Sequence, residues 1–552
     1  MPGQLWKALQ DQIPGLRRIS RVPRQIVGIS PFEGSIQPTR VPLLSLGSGR
    51  PTLPFPHLWN YRQPLRILET FFWNADAEQG PGRHTRYLDV PGFAPVLVSR
   101  DPRVIRAISA ETGDRVGWFD RDTLPSSGIA RATGTDSLLY ANGPSWKKQK
   151  KLSTPPFART TLFQPEQFYQ FEQTCRRTVC ERLELVRRRI QQTGEPVRVE
   201  LEPEIKALML EMLVNNFFGA EVAYAEIRDH YVPALEHVID HIVRDTVVNK
   251  IGIPLRYLPP LTRGIAEAKE ARATFEQLTD LVIAPRRHEK GLWRHFKSDA
   301  PDQALRSNIR VFLAGALEAT TSYASWTVSH LARNAVAQET TFKEVRDVED
   351  YTPHALERAK YLGYVLDETL RLTPSLYFHP RRATADTRVE TTSGDTLLIP
   401  SGTHILLDVW HANRHEDHWG TAATGHPALA FVPERWAALA AKKRGDLLHF
   451  GFGHGPRFCP GKNLGQMEVA LVVAACVRLF RFEAVNRENH ARAGISTKPL
   501  DGALVNLRLR QLDATVIGHA PDAGGRQPVP PAGQPHDPAR SACPFAGRHT
   551  PG

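Results

Sequence analysis

The stretch that decides the reading runs from His449 to Gly465, HFGFGHGPRFCPGKNLG. Gly451, Gly453 and Gly455 alternate; Arg457, Cys459, Pro460 and Gly461 come next, and the apolar run MEVALVVAACV follows from Met467. Glycines at this density let a backbone bend tightly and approach a flat ligand without Cβ clashes. The same bend can aim amide N–H groups at the Cys459 sulfur. A cysteine at the mouth of a helix sits near the positive end of the helix dipole, which favours thiolate over thiol. A thiolate held in this way suits a metal ligand, and Arg457, two residues before it, can pair with a carboxylate on the same ligand.

The other cysteines read differently. Cys476 lies inside the apolar run, and Cys175 and Cys180 lie in ordinary helical surroundings, so each reads as a small buried hydrophobe. Five cysteines scattered through 552 residues are too few for a disulfide framework, and no CxxC pair exists for a zinc ribbon or an iron–sulfur cluster. A reduced, cytoplasmic setting is the expectation. Hydrophobic residues at 41% and charged residues at 23% describe a soluble globular chain and exclude collagen, coiled coil and general disorder. The formal charge of +12 allows nucleic acid, a membrane surface or an acidic protein as partner.

Outward from the cysteine, helices dominate. Apolar residues recur three or four apart over 160–192, 204–220, 224–250 and 264–285, and the Pro-free stretch from Ala304 to Thr352 holds at least one long helix. Short alternating runs at 94–99 and 395–409 read as strands of small sheets. No strand–helix alternation, GxGxxG or P-loop indicates a fused nucleotide-binding reductase. The fold class expected is mainly α with small β-sheets, in one large catalytic domain over 60–516. Residues 1–59 read as a lead-in, with Leu5, Trp6, Leu9 and Ile13 on one face of a short helix and a Pro-rich segment after it. That helix allows peripheral membrane contact, but no run is long enough to span a bilayer. Residues 517–552 read as a Pro/Gly-rich disordered tail.

Phe452-x-x-Gly455-x-Arg457-x-Cys459-x-Gly461 resembles, without a mismatch, the haem-binding signature of the cytochrome P-450 family. Further matches follow in the family's order. Trp146 and Lys150, ahead of Pro156-Phe157, resemble its Trp-x-x-x-Arg pair, with Lys where Arg is usual and hence without the bidentate fork. Glu368-Thr369-Leu370-Arg371 resembles its Glu-x-x-Arg helix, whose spacing puts both side chains on one face. Pro380-Arg381 resembles the strand whose Arg binds a haem propionate, with Arg382 an adjacent contender. Pro433-Glu434-Arg435-Trp436 resembles the segment whose Arg joins the Glu-x-x-Arg pair. The resemblance implies haem b with Cys459 as axial thiolate, propionates held by Trp146, Lys150, Arg381 and Arg457, and Glu368, Arg371 and Arg435 bracing the thiolate face.

Val311–Ser322, VFLAGALEATTS, stands where the family has its oxygen-activating helix. There an acid followed by Thr helps deliver protons. Here Ala319 separates Glu318 from Thr320, so either the acid or the Thr is displaced by one place. A carboxylate in an apolar helix is costly unless it pairs or meets water. Glu318 therefore reads as functional, or else as half of an ion pair with a neighbouring helix, and Thr320 or Thr321 can instead bond a backbone carbonyl.

The resemblance implies a monooxygenase that places one oxygen atom from O2 in an apolar substrate, fed by a ferredoxin and its reductase or another reductase. Lys147, Lys148, Lys150, Lys151 and Lys462 would face an acidic carrier. The displaced Thr keeps open a haem-thiolate isomerase, dehydratase or peroxygenase, and a haem-binding sensor is the non-enzymatic alternative. Nucleic acid has no supporting motif. His411, His415 and His418 have a spacing that suggests zinc, but they read as part of a surface loop and not as a metal site.

Overall fold

Strands far apart in the sequence build the largest sheet. The computed structural model describes residues from Leu65 to Arg510, omitting isolated positions and chiefly 74–82, 89–95, 112–117, 123–131, 249–262, 297–301 and 442–448. The expected N-terminal helix and Pro-rich lead-in, and the expected tail at 517–552, lie outside the described residues.

Strands β1 (Thr85–Leu88) and β2 (Val96–Ser99) pair antiparallel, with Thr85 opposite Ser99. Asp101 then caps helix α1 (Pro102–Ala110), its Oδ1 accepting from the amides of Arg103 at 2.8 Å and Val104 at 3.2 Å. Pro102 stands in the first turn, where its missing N–H has no bond to lose. Val104, Ile105 and Ile108 form the buried face of α1. Strand β3 (Phe119–Arg121) and helix α2 (Gly143–Ser153) follow. Helix α3 (Pro165–Thr193) ends at Gly194, whose φ of 68° is the left-handed cap that glycine adopts without strain. Strand β4 (Val197–Glu200) leads to α4 (Glu202–Glu211), α5 (Val232–Val248) and α6 (Arg263–Arg287).

Helix α7 (Asp302–Arg333) has 32 residues, a length of about 48 Å at 1.5 Å per residue. It packs against α4 on one side. Helices α8 (Ala335–Val345) and α9 (Lys360–Leu372) precede strands β5 (Phe378–Ala383), β6 (Thr387–Glu390), β7 (Thr396–Ile399) and β8 (His404–Asp408). Helices α10 (Glu434–Ala441) and α11 (Lys462–Leu479) come next. Strands β9 (Phe480–Ala484), β10 (Ala491–Ala493), β11 (Thr497–Pro499) and β12 (Leu504–Leu509) close the described chain.

The five-stranded sheet runs β1-β2-β8-β5-β3, with β2 and β8 parallel and the other pairs antiparallel. A three-stranded sheet β4-β12-β9 and the hairpin pairs β6-β7 and β10-β11 complete the strands. Helix α11 lies between α3, α7 and α9. From Leu464 to Leu479 every residue except Gln466 and Cys476 is buried. A helix apolar on nearly all sides belongs in the middle of a bundle, and α11 carries Cys459 just before its first turn. The architecture is the one expected, mainly α with small sheets in one large domain. Among the described residues no helix is long and apolar enough to cross a membrane.

Candidate active site

The loop before α11 is shaped by three left-handed residues: Phe450 at φ 51°, Gly453 at 79° and Gly455 at 69°. The amide of Gly453 donates to the Phe450 carbonyl and that of Cys459 to the Phe452 carbonyl, each at 2.8 Å. A Cβ on Gly455 would lie 2.3 Å from the Ser109 carbonyl oxygen at the end of α1, so only glycine fits there. The Gly461 amide hydrogen-bonds the Cys459 sulfur. Burial pushes the Cys459 thiol up to about 11, and that amide and the Lys462 charge pull it part of the way back. A thiolate at such a position calls for a cation bonded to it, which is the demand a metal ligand meets.

Beside this loop three arginines converge. The β3–β5 register sets Arg121 opposite Arg381. Burial pushes the Arg381 guanidinium far below the ordinary range, and the Arg121 and Arg457 charges depress it further. Burial likewise holds Arg457 down at about 9, with Arg121 adding to the effect and Asp120 opposing it. Arg457 donates through Nη2 to the Ala141 carbonyl and to Asn142 Oδ1, each at 2.6 Å. Its guanidinium lies 4.5 Å from the centre of the buried Trp146 ring. Its Nε is buried with no hydrogen-bond partner among the described residues. Cations that destabilise one another in this way suit an anionic ligand, and the two propionates of haem b match the donor set. Arg382, the neighbouring contender, is less buried than Arg381. Lys150 does not enter this group directly. Its ammonium donates to the Pro456 carbonyl at 2.5 Å and lies 5.2 Å from both the Trp146 and Phe458 rings, tying α2 to the cysteine loop.

Glu368, Arg371 and Arg435 meet as a fully buried network. Arg371 grips Glu368 with two parallel bonds, Nε to Oε2 at 2.9 Å and Nη2 to Oε1 at 2.8 Å. Its Nη1 donates to the carbonyls of Asn413 and Ala428 at 2.8 and 2.7 Å. Arg435 reaches Glu368 at 3.4 Å and the Trp419 carbonyl at 2.8 Å, and Trp436 Nε1 donates to Glu368 at 2.9 Å. These bonds tie Asn413, Ala428 and the first turn of α10 to α9, and Trp419 to α10.

On α7 the two candidate proton groups part company. Glu318 Oε1 accepts from Lys498 Nζ at 2.7 Å and Oε2 from Ser496 Oγ at 2.9 Å. Burial is the largest influence on its carboxyl and pushes it up, but Lys498, Lys206 and the two hydrogen bonds outweigh it and hold the group below the ordinary carboxylate range. Glu318 is therefore half of a buried ion pair, formed with the β10–β11 hairpin rather than with a helix. Thr320 donates to the Ala316 carbonyl at 2.7 Å, the mid-helix back-bond. A Cβ on Gly465 of α11 would meet its methyl at 3.6 Å. Thr321 and Ser322 are fully buried with no hydrogen-bond partner for either hydroxyl among the described residues.

The structure thus gathers Trp146, Lys150, Arg381, Phe452, Arg457, Cys459 and Gly461 at one end of α11, joins Glu368, Arg371 and Arg435, and separates Glu318 from Thr320. Sequence reasoning missed Arg121, Lys498, Ser496 and Lys206. Arg121 enters only through the strand pairing with Arg381, and none of the four carries a local pattern. The His411-His415-His418 series is also split: His411 Nδ1 bonds Asp408 Oδ2 at 2.7 Å, and His84 takes its place beside the other two.

Comparison with known proteins adds the family. Residues 91–502 match the family model described as Cytochrome P450. The chain is 27% identical to a cytokinin hydroxylase of Arabidopsis thaliana, over 68% of this chain and 72% of that protein. It is 24% identical to an 11-oxo-beta-amyrin 30-oxidase of Medicago truncatula, over 75% and 79% respectively. With an echinocystic acid 23-monooxygenase of Saponaria officinalis it shares 24% identity over 76% and 81%.

Proposed function

We propose, on the premise that this chain belongs to the cytochrome P450 family, that it is a haem-thiolate monooxygenase acting on an apolar organic substrate with electrons from a separate acidic carrier. The family membership carries haem b and a cysteine thiolate ligand with it. The observation that carries the assignment of residues is the half-buried Cys459 sulfur, bonded by the Gly461 amide at the mouth of α11. When bound, the haem iron supplies oxygen activation, for which a thiolate ligand favours O–O cleavage.

The chain's own residues do the rest. Cys459 would hold the iron. Arg121, Arg381 and Arg457 would hold the propionates, with the Trp146 ring beside Arg457 and Lys150 holding the loop from the α2 side. The Glu368–Arg371–Arg435 network keeps that side of the protein rigid. Thr320, on the part of α7 that faces α11, is the hydroxyl placed to hold or pass a proton near the haem. Glu318 keeps its charge in the pair with Lys498 and serves as an anchor for that stretch of α7.

The relatives' names give no single substrate, so the substrate class rests on the apolar run Val311–Leu317 of α7. Lys147, Lys148 and Lys151 on α2, Lys462 and Phe458 are all exposed, a set suited to an acidic ferredoxin-like protein.

The separation of Glu318 from Thr320 favours a second reading in which turnover uses peroxide and no carrier. Reconstitution with NAD(P)H, a ferredoxin and its reductase separates the two. Oxygenated product that takes its oxygen from O2 and vanishes when the carrier is omitted is expected. Turnover indifferent to the carrier but supported by peroxide would select the second reading.

A further inference from the structure

We propose that His84, His415 and His418 form a binding site for one zinc ion, remote in the sequence from Cys459 and separate in function. One ring nitrogen of each comes within 4.8 Å of the others. The ring centres lie 4.6 Å apart for His84 and His415, 4.5 Å for His84 and His418, and 5.4 Å for His415 and His418. A tetrahedral zinc with bonds of about 2.0–2.1 Å wants its nitrogens roughly 3.4 Å apart, so closing on an ion takes side-chain movements of about an ångström.

Two nitrogens point to a ligand. His84 Nδ1 and His418 Nε2 are both buried with no hydrogen-bond partner among the described residues, and His418 is only 7% exposed. Buried imidazole nitrogens are expected to be satisfied, and a shared cation satisfies both at once. The second nitrogen of His84 completes the arrangement. Its Nε2 lies 2.9 Å from Asp417 Oδ2, which places the proton on Nε2 and leaves the Nδ1 lone pair for the ion. Metal-bound histidines are oriented by carboxylates in this way.

His415 needs one change. Its Nδ1 now accepts from the Asp417 amide at 3.1 Å, capping a short helical turn. On ligation through Nε2 its proton moves to Nδ1, which gives up the Asp417 amide and turns to the Asp417 carboxylate, now 3.8 Å away. Arg83 pairs with that same carboxylate. Arg100 also faces His84 and His418 and opposes the ion, while Asp101 and Asp417 face His418 and favour it. Three imidazoles and a water in the fourth position suit zinc better than a hard cation. The bound ion would fasten the residue preceding β1 to the segment between β8 and α10. That segment carries Trp419, whose carbonyl accepts from Arg435.

The test uses the untagged, haem-loaded full chain, stripped with a chelator and titrated with zinc alone in competition with a chromogenic chelator. One zinc per chain is expected. His84→Ala and His418→Ala should each weaken binding by at least about tenfold, and Asp417→Asn by about 10- to 100-fold. His411→Ala should leave the affinity unchanged, and haem content in every variant reports that it folds. No zinc bound by the wild type, wild-type affinity in His84→Ala or His418→Ala, or loss of binding in His411→Ala would overturn the proposal.

Discussion

Glu318 and Thr320 stand two residues apart on α7 and address different neighbours: the Glu318 carboxylate takes a bond of 2.7 Å from Lys498 of β11, while the Thr320 methyl lies against α11 at Gly465. Successive helical residues turn by about 100°, so a two-residue step puts them on opposite faces. The extra Ala319 is therefore not absorbed by a distortion that brings acid and hydroxyl together. It divides them between an ion pair and the cysteine helix.

Removing Lys498 leaves Glu318 charged and buried, with Lys206 and the Ser496 hydroxyl to offset it. Lys498→Met should cost about 3–5 kcal/mol, and adding Glu318→Gln should recover most of that. Denaturant unfolding of both variants checks it; equal stability of wild type and Lys498→Met would refute the buried pair. The sign with pH also follows. Glu318 is held below the ordinary carboxylate range, so its contribution is complete above that range and is lost as pH falls through the lower folded value. Glu318→Gln should flatten the acid limb of the stability curve.

Glu468, in the middle of α11, behaves in the opposite sense. Burial pushes its carboxyl up to about 8, and its Oε1 has no hydrogen-bond partner among the described residues. A raised folded value means that the folded state binds the extra proton, so stability falls as pH rises from the ordinary carboxylate range through that value. Glu468→Gln should stabilise the protein by about 3 kcal/mol at pH 7 and by almost nothing near pH 4.5. Melting curves at the two pH values are the measurement.

Glu368 collects four side-chain bonds from Arg371, Arg435 and Trp436 and one from the Val432 amide. Glu368→Gln keeps the shape and removes the charge, leaving two buried guanidiniums facing a neutral amide. A loss of about 3–5 kcal/mol is expected. The yield of haem-loaded soluble protein should drop accordingly, and a yield like that of the wild type would show the network to be dispensable.

Charge reversal on α2 tests the docking surface. Lys148→Glu with Lys151→Glu should slow reduction by an acidic ferredoxin about tenfold at low salt, with the difference shrinking as added salt screens it. Haem content should not change, since both side chains are exposed. An unchanged stopped-flow rate at low salt would move the carrier elsewhere.

What was legible in the sequence was what the chain keeps together. The glycines, Arg457 and Cys459 act within one loop, and Glu368 and Arg371 within one helical turn, so a short motif contains their geometry. Arg435 was legible because its segment has a pattern of its own. The pairing of Glu318 with Lys498 joins residues 180 positions apart, and no spacing rule reaches that far. His84 is separated from Asp417 by 333 positions and meets the histidines beside it only because β1 lies in the same sheet as β8. Arg121 became visible only when β5 supplied its partner strand. Lys150 carries the charge that its place in the motif implies, and its bond to the Pro456 carbonyl, 306 positions away, has no local pattern to announce it.

The contact between Gly455 and Ser109 sets a limit on how this protein can be cut or rebuilt. The ligand loop has no foundation of its own; it rests on the last turn of a helix formed some 350 residues earlier in the chain. A fragment beginning after α1 would keep every residue of the haem signature and still lose the floor on which the loop is levelled. Grafts and truncations should therefore treat α1 and the cysteine loop as one inseparable part.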